Sequence, residues 1–180
     1  MRRLIVLRHA KTERDSPTGR DFDRRLDERG QQDAHEIGKY LADNRLTPDL
    51  ALVSPAVRAR ETWSQVAPHF KSAEMIYEPD LYGAEVTELL RSIAAAGGRA
   101  SDPKLGTLMV VAHNPGLHEL SLMLIGDAET PDQQELACNL PTSGVTVIDF
   151  AFEDWGDITL RAGTLERFVS PRKLRVARGA

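Results

Sequence analysis

Two arginines and two histidines come after apolar segments of this 180-residue chain, at points where buried strands would end. Arg8 and His9 follow "LIVL", His113 follows "TLMVVA", and Arg58 lies one turn beyond "DLALVS". Arginine presents a planar, charged fork that suits phosphate oxygens. A neutral histidine beside it can attack phosphorus and form a covalent intermediate. These residue types therefore predict an anion site with the groups that phosphoryl transfer requires.

The segments around these residues alternate between strand and helix patterns. Strands are predicted at 3–7, 49–54, 73–79 and 106–113, with two more within 144–163 joined by a turn near Asp154–Gly156. Helices are predicted at 27–44, 55–70, 84–96 and 114–126. Residues 10–26 are predicted to be a long loop of the kind that is often functional, and 171–180 a loose, basic tail.

This alternation is typical of an α/β protein with a mostly parallel sheet covered by helices on both sides. Ligands of such sheets bind at the carboxyl ends of the strands. If the strands that precede the four candidate residues are parallel neighbours, Arg8, His9, Arg58 and His113 meet in one pocket. The two helices that follow would direct their N-termini, with free N–H groups, toward the same place.

Composition narrows the class of protein. The length predicts one domain over 1–180, and the net charge of −4 with a pI of about 5.7 does not favour nucleic acid as a partner. The apolar run near the N-terminus is too short for a signal peptide, and no segment approaches a membrane span, so we expect a cytoplasmic protein. Cys138 is the single cysteine, and no Cys/His spacing predicts a zinc site.

Each candidate also has an ordinary structural interpretation. A single arginine or histidine after a strand is usually a solvated loop residue, "SPAVRARET" can be the start of an amphipathic helix, and "HNPG" can be a turn. His35, His69 and His118 fit no metal motif and are expected to be surface or packing residues. The prediction of an anion site therefore rests on the presence of all these motifs in one chain.

Together the motifs resemble the histidine phosphatase superfamily, also called phosphoglycerate-mutase-like. "LRHAKTE" is similar to its Arg-His-Gly signature, "SPAVRARET" to its second motif, and "VVAHNPGL" to the segment of its second histidine. "RRLDERGQQDA" resembles the segment that opens the first helix of the family. The chain is most similar to the phosphohistidine phosphatase branch, the SixA type, because it is short and pairs the segment "DLYGAEVTELL" with "AHNPGLHEL".

The resemblance implies roles for several residues. His9 would accept the phosphoryl group, and Arg8, Arg58 and His113 would hold it. Arg24 would be a further phosphate or substrate contact. The family also implies a three-layer α/β/α fold, no metal and no organic cofactor.

Two positions depart from the family pattern. Ala10 replaces the glycine of the signature, which we expect to be tolerated unless the backbone there needs a positive φ. Mutase-type members carry a glutamate where this chain has Pro79, and acid phosphatases carry an aspartate where it has Asn114. The general acid is therefore open among Glu78, Asp80 and Glu85, and we place Asn114 and Glu85 with Arg24 among the substrate-binding candidates.

A missing acid favours one class of substrate. An alkoxide leaving group needs a proton, whereas imidazole is much less basic and leaves readily near neutral pH. We therefore predict a phosphatase that removes phosphate from protein phosphohistidine, with a signalling phosphotransfer protein as partner. The alternatives are a phosphatase of small phosphate monoesters with Glu85 or Asp80 as acid, and a module that binds phosphohistidine without hydrolysing it. The sequence does not predict the oligomeric state.

Overall fold

The computed structural model describes residues 1–101 and 104–179, which form a six-stranded sheet flanked by six α-helices. The strands are β1 Arg2–Arg8, β2 Leu50–Val53, β3 Glu74–Tyr77, β4 Thr107–Ala112, β5 Val145–Phe150 and β6 Gly163–Val169. The helices are α1 Glu28–Asp43, α2 Val57–Val66, α3 Val86–Ala95, α4 Gly116–Leu124, α5 Pro131–Cys138 and α6 Pro171–Gly179.

The order of strands in the sheet is β3-β2-β4-β1-β5-β6. Strand β4 pairs in parallel with both β2 and β1, so the three strands that carry the candidate site are neighbours. Only β5 runs in the opposite direction, because it is antiparallel to both β1 and β6. The mostly parallel sheet is thereby confirmed, and the start of β5 lies at the same edge as the ends of the other strands.

Each face of the sheet is covered by its own group of helices. Side chains of alternating residues in β1 explain this, since Leu4 and Val6 pack into one core while Ile5 and Leu7 pack into the other. Helices α3, α4 and α5 cover the first face, with Leu89, Leu117 and Leu136 buried there. Helices α1, α2 and α6 cover the second. The result is the three-layer α/β/α architecture that the sequence predicts.

The C-terminal segment corrects one expectation. Residues predicted to be a loose tail form α6, in which Leu174 is buried in the second core. Arg175 forms an ion pair with Asp33 of α1 at 2.8 Å, and Lys173 one with Asp132 of α5 at 2.7 Å. Three of the basic residues that suggested a solvated end, Lys173, Arg175 and Arg178, are therefore partners of acidic residues on neighbouring helices.

Two further differences concern 126–163. Helix α5 was not predicted, because it is short and Leu136 is its one buried residue. The second strand predicted within 144–163 is wrong. Trp155 lies buried in a helical turn, Arg161 adopts a left-handed φ of 61°, and β6 begins only at Gly163. The alternating residues around Leu160 resemble a strand, but a left-handed residue cannot continue one.

No helix within residues 1–101 and 104–179 is long and apolar enough to cross a membrane.

Candidate active site

The predicted meeting of three strand ends occurs in the structure. The imidazole rings of His9 and His113 lie 5.2 Å apart between centroids, and both residues are more than 90 % buried. Arg58, in the first turn of α2, is also buried, with 6 % of its surface exposed. Arg8 and Arg58 are close enough that each positive charge disfavours protonation of its neighbours. All four candidates therefore share one pocket at the carboxyl edge of the sheet.

The ring of His9 is held in one orientation by the backbone of the next residue. Its Nδ1 lies 2.8 Å from the carbonyl oxygen of Ala10, so Nδ1–H donates and Nε2 keeps its lone pair. Burial lowers the pKa of His9 to about 4, and the charges of Arg58, Arg8 and Arg24 act in the same direction. Near neutral pH His9 is therefore uncharged, with Nε2 available as a nucleophile.

The segment after His9 is fixed by α2. The backbone N–H of Ala10 donates to Thr62 Oγ1 at 2.9 Å, and the Thr62 hydroxyl donates to the Arg58 carbonyl at 2.7 Å. Thr62 is fully buried, so these bonds are protected from water. The backbone of Ala10 does not adopt a positive φ, which explains why alanine can stand in place of the family's glycine.

The two arginines are anchored at their tips. Arg8 Nη1 donates to the carbonyl of Leu140 at 3.0 Å, and Arg58 donates to the backbone and the carboxylate of Asp21. The Nε atoms of both arginines are buried and have no hydrogen-bond partner among the described residues. Burial, and then the charge of Arg58, lowers the pKa of Arg8 from its ordinary value. Both guanidinium groups therefore retain donors for an anion.

His113 is oriented by the end of β2. Its Nε2 lies 2.7 Å from Ser54 Oγ, and that oxygen also accepts the N–H of Ala56 at 3.4 Å. With the Ser54 hydroxyl as the donor to Nε2, the ring proton of neutral His113 lies on Nδ1. Nδ1 is buried without a partner in the described part of the chain. Burial, together with His9 and Arg58, lowers the pKa of His113 to about 3, so the neutral ring presents an N–H donor.

Asp21 is a site residue that the sequence reasoning missed. It begins a short 3-10 turn within the loop 10–26, and its carboxylate accepts hydrogen bonds from Arg58 Nη2 at 2.9 Å and Tyr82 Oη at 3.0 Å. Its side chain is 55 % exposed, at the mouth of the pocket. The polar loop 10–26 was a sign in the sequence that functional residues lie there. Nothing in the sequence pairs Asp21 with Arg58, which lies 37 residues further along the chain.

Two further candidates, Arg24 and Asn114, make contacts beside the four clustered residues. Arg24 hydrogen-bonds to Thr12 and to the carbonyl of Glu13, and its charge acts on His9. Asn114 donates to the same Leu140 carbonyl as Arg8, at 2.9 Å. These contacts place both residues beside the four clustered ones, and their part in substrate binding stays a prediction.

Among the described residues, none of the three candidate acids, Glu78, Asp80 and Glu85, forms a hydrogen bond or ion pair with His9 or His113. Glu85 is exposed at the N-terminus of α3, where its backbone N–H donates to the Glu88 carboxylate at 2.9 Å. Glu78 is buried in an ion pair with Arg99 and accepts the N–H of Asp80. Across residues 1–101 and 104–179, no three His, Cys, Asp or Glu side chains form a group that would hold a metal ion.

Several buried polar atoms around the pocket are free to bind a ligand. Buried atoms without a hydrogen-bond partner in the described chain include Arg8 Nε, Arg58 Nε, His113 Nδ1 and Ser143 Oγ. Ser143 belongs here because its N–H donates to the His9 carbonyl at 3.2 Å. Leaving a buried donor unpaired costs about 1–3 kcal/mol, and a tetrahedral oxyanion would satisfy several of them together.

Comparison with known proteins agrees with this geometry. Residues 4–89 match the model of the histidine phosphatase superfamily, branch 1. A candidate phosphohistidine phosphatase SixA from Agrobacterium tumefaciens is 32 % identical, and its structure superimposes with a TM-score of 0.75 over 94 % of this chain and 98 % of that one. The chain belongs to the histidine phosphatase superfamily. Its architecture is similar to that of SixA-type proteins, and membership of the superfamily places it among phosphatases that act on phosphorylated substrates.

Two curated relatives of this histidine phosphatase are uncharacterised. A Mycobacterium leprae protein is 31 % identical over 92 % of this chain and its own full length. A chloroplastic protein of Arabidopsis thaliana is 34 % identical over 69 % of this chain, but the match spans only 60 % of that protein. The names of these relatives give no substrate, so the substrate is inferred from the pocket.

Proposed function

We propose that this histidine phosphatase removes phosphate from phosphohistidine on a protein, through a phosphorylated His9. The observation that carries the proposal is the neutral, oriented His9 ring, whose Nε2 is free beside the buried Arg58 and the half-buried Arg8, both with a buried, unpaired Nε donor. The similarity to the SixA-type structure supports the same substrate class. The partner would be a signalling protein with a phosphorylated histidine.

The first step is in-line attack. The Nε2 lone pair of His9 forms a bond to phosphorus, and the bond between phosphorus and the substrate imidazole breaks, its electron pair returning to that imidazole. Arg8, Arg58 and the Nδ1–H of His113 donate to the equatorial oxygens, where the charge of the transition state lies. The substrate ring, protonated on its other nitrogen, leaves as neutral imidazole, while His9, which keeps its Nδ1 proton, becomes the positively charged phosphorylated ring. The step therefore needs no further proton donor.

The second step restores the enzyme. Water attacks phosphorus, the Nε2–phosphorus bond breaks with its electron pair returning to His9, and both protons of the water leave on the phosphate. His9 keeps its Nδ1 proton throughout, because the Ala10 carbonyl holds it. The cycle therefore returns the ring to its starting tautomer.

The carboxyl groups around the pocket favour this substrate over alkyl phosphates. Burial acts to raise the pKa of Asp21, but hydrogen bonds from Tyr82 and Arg58 and the charge of Arg58 outweigh it and lower that pKa. Asp21 is therefore ionised near neutral pH and has no proton to give to an alkoxide. Glu78 is held by Arg99. An N–P bond, whose leaving group needs no strong acid, suits such a site.

Intact-mass measurement after a rapid, acid-free quench tests the nucleophile. Wild type mixed with a phosphohistidine peptide is expected to gain one phosphoryl group transiently, while His9→Ala gains none and turnover is lost. His35→Ala, which changes an exposed histidine outside the pocket, is the matched control and should behave as wild type. Turnover that survives in His9→Ala contradicts the proposal, as does faster hydrolysis of alkyl phosphates than of phosphohistidine by wild type.

A further inference from the structure

A second cavity opens beside the candidate active site. It has a volume of about 420 Å³, and α1, α6 and the segments around 135–142 and 168–172 line it. Its charged lining consists of Lys11, Arg29, Arg172 and Arg175, with Asp33 and Glu135. None of these side chains is used by the proposed phosphoryl transfer.

The cavity and the catalytic pocket lie along the same edge of the sheet. Lys11 follows the end of β1 two residues after His9, and the cavity reaches Ser170 at the end of β6. The two sites share a wall, because Leu140 accepts hydrogen bonds from the catalytic side while Pro141 lines the cavity. Two strand spacings, roughly 10 Å, separate the end of β1, which carries His9, from the end of β6, which leads into Ser170.

The charges in the cavity do not cancel. Asp33 is shared by Arg29, at 3.7 Å, and Arg175, at 2.8 Å, so one carboxylate serves two guanidinium groups. Glu135 is paired with Lys173, and Arg172 is exposed with no ion-pair partner among the described residues.

The cavity lining as a whole carries four positive and two negative side chains, an excess of two positive charges on a chain of net charge −4. Even with the Lys11–Asp27 pair at 3.4 Å, the cavity is a local cationic site.

We infer that this cavity binds an acidic side chain of the same polypeptide that presents its phosphohistidine to His9. The inference rests on the proposed function. A phosphohistidine whose phosphorus lies at His9 cannot itself reach about 10 Å along the sheet edge, but a neighbouring residue of its chain can. At about 3.3 Å per residue, a glutamate or aspartate three residues away in an extended segment spans that distance. The cavity thereby selects acidic protein substrates.

Two matched peptides test the inference. Both carry one phosphohistidine, and one has glutamate three residues to either side where the other has glutamine. Wild type is expected to show a kcat/KM several-fold higher for the glutamate peptide, mainly through a lower KM, and the advantage should shrink as salt is raised because the contact is exposed.

Charge reversal locates the contact. Arg172→Glu is expected to lower kcat/KM for the glutamate peptide about fivefold, leaving kcat and the glutamine peptide unchanged, while Arg172→Lys retains most of the advantage. Arg91→Glu, an exposed arginine on α3 outside the cavity, is the control. Equal rates for the two peptides in wild type would overturn this inference and leave the proposed function standing. An equal loss of rate for both peptides in Arg172→Glu would do the same. If wild type turns over neither peptide, the proposed function fails and the inference fails with it.

Discussion

The chemistry of His9 depends on a hydrogen bond to its own neighbour in the chain. The Ala10 carbonyl holds Nδ1–H, and Thr62 holds the backbone N–H of the same residue. The proposed nucleophile is therefore oriented by a backbone segment that hydrogen bonds from α2 hold in place. The position of the ring depends on Thr62, although Thr62 does not touch it.

Thr62→Val removes this hydrogen bond with little change in side-chain volume. The Ala10 N–H loses its buried acceptor, which costs about 1–3 kcal/mol, and the His9 ring loses its fixed direction. We expect the free energy of unfolding to fall by that amount and kcat to fall about tenfold with little change in KM. Urea unfolding and steady-state kinetics measure both. Thr62→Ser keeps the hydroxyl and should restore kcat; a serine variant as slow as the valine variant would contradict a role for the hydroxyl.

Asp21 forms an ion pair with Arg58, whose guanidinium group is proposed to bind the phosphate. In Asp21→Asn the amide oxygen still accepts from Arg58, but the negative charge is gone. Two charges about 4 Å apart in water interact by about 1 kcal/mol, so we expect inorganic phosphate to bind about fivefold more tightly. Titration calorimetry measures this affinity. Asp23→Asn, on the same turn but paired with Arg20, is the control and should not change it. Weaker phosphate binding in Asp21→Asn would show that the carboxylate helps to bind the anion.

At the scale of single residues, the sequence predicts which residues of the candidate site end strands and little more about that site. Arg8, His9 and His113 each follow a strand pattern directly, so their place in the pocket could be inferred. Ser54 also ends its strand pattern, but its hydrogen bond to His113, 59 residues away, depends on the register of the sheet. Asp21 could not be inferred, because its partner Arg58 is 37 residues away and the pairing depends on the path of a loop.

At the scale of elements, α6 closes the second core. Leu174 is its main buried side chain, 8 % exposed, and the ion pairs to α1 and α5 fix its direction. The sequence pattern did not reveal this helix, because a basic segment at a chain end looks like a solvated tail until its acidic partners are known. The strands of the parallel sheet were predicted better, because continuous apolar runs need no partner to be recognised.

Leu174→Ala tests the contribution of α6. A buried leucine replaced by alanine leaves a cavity and costs about 2–5 kcal/mol, and we expect the low end because the helix lies at the surface. Val176→Ala on the same helix, where valine is 65 % exposed, should change stability by less than about 0.5 kcal/mol. The midpoint of urea unfolding measures both variants. Equal midpoints for the two would indicate that α6 does not pack on the core in solution.

For the whole molecule, the two active-site histidines make stability depend on pH. The pKa values of His9 and His113, about 4 and about 3, lie below the value near 6.5 of an unfolded histidine. The unfolded chain therefore binds more protons as pH falls below about 6.5, and the free energy of unfolding decreases between that pH and about 4.

We expect each of these histidines to cost on the order of 1–2 kcal/mol of stability between pH 7 and pH 5. Urea unfolding at the two pH values measures the difference. His9→Gln and His113→Gln should each flatten the dependence on pH, while His35→Gln, at an exposed position, should not. A wild-type stability that is equal at pH 7 and pH 5 would contradict the low pKa values.

The positive charge of the pocket resides on Arg8 and Arg58, and both histidines are neutral, so the charge that attracts an anion does not vary across the physiological pH range. A site built in this way has no means of distinguishing the phosphoryl group of a substrate from the phosphate it has just released. Product inhibition follows directly: the rate of dephosphorylation falls as free phosphate accumulates. We therefore expect the rate to depend on the concentration of free phosphate more than on pH across that range.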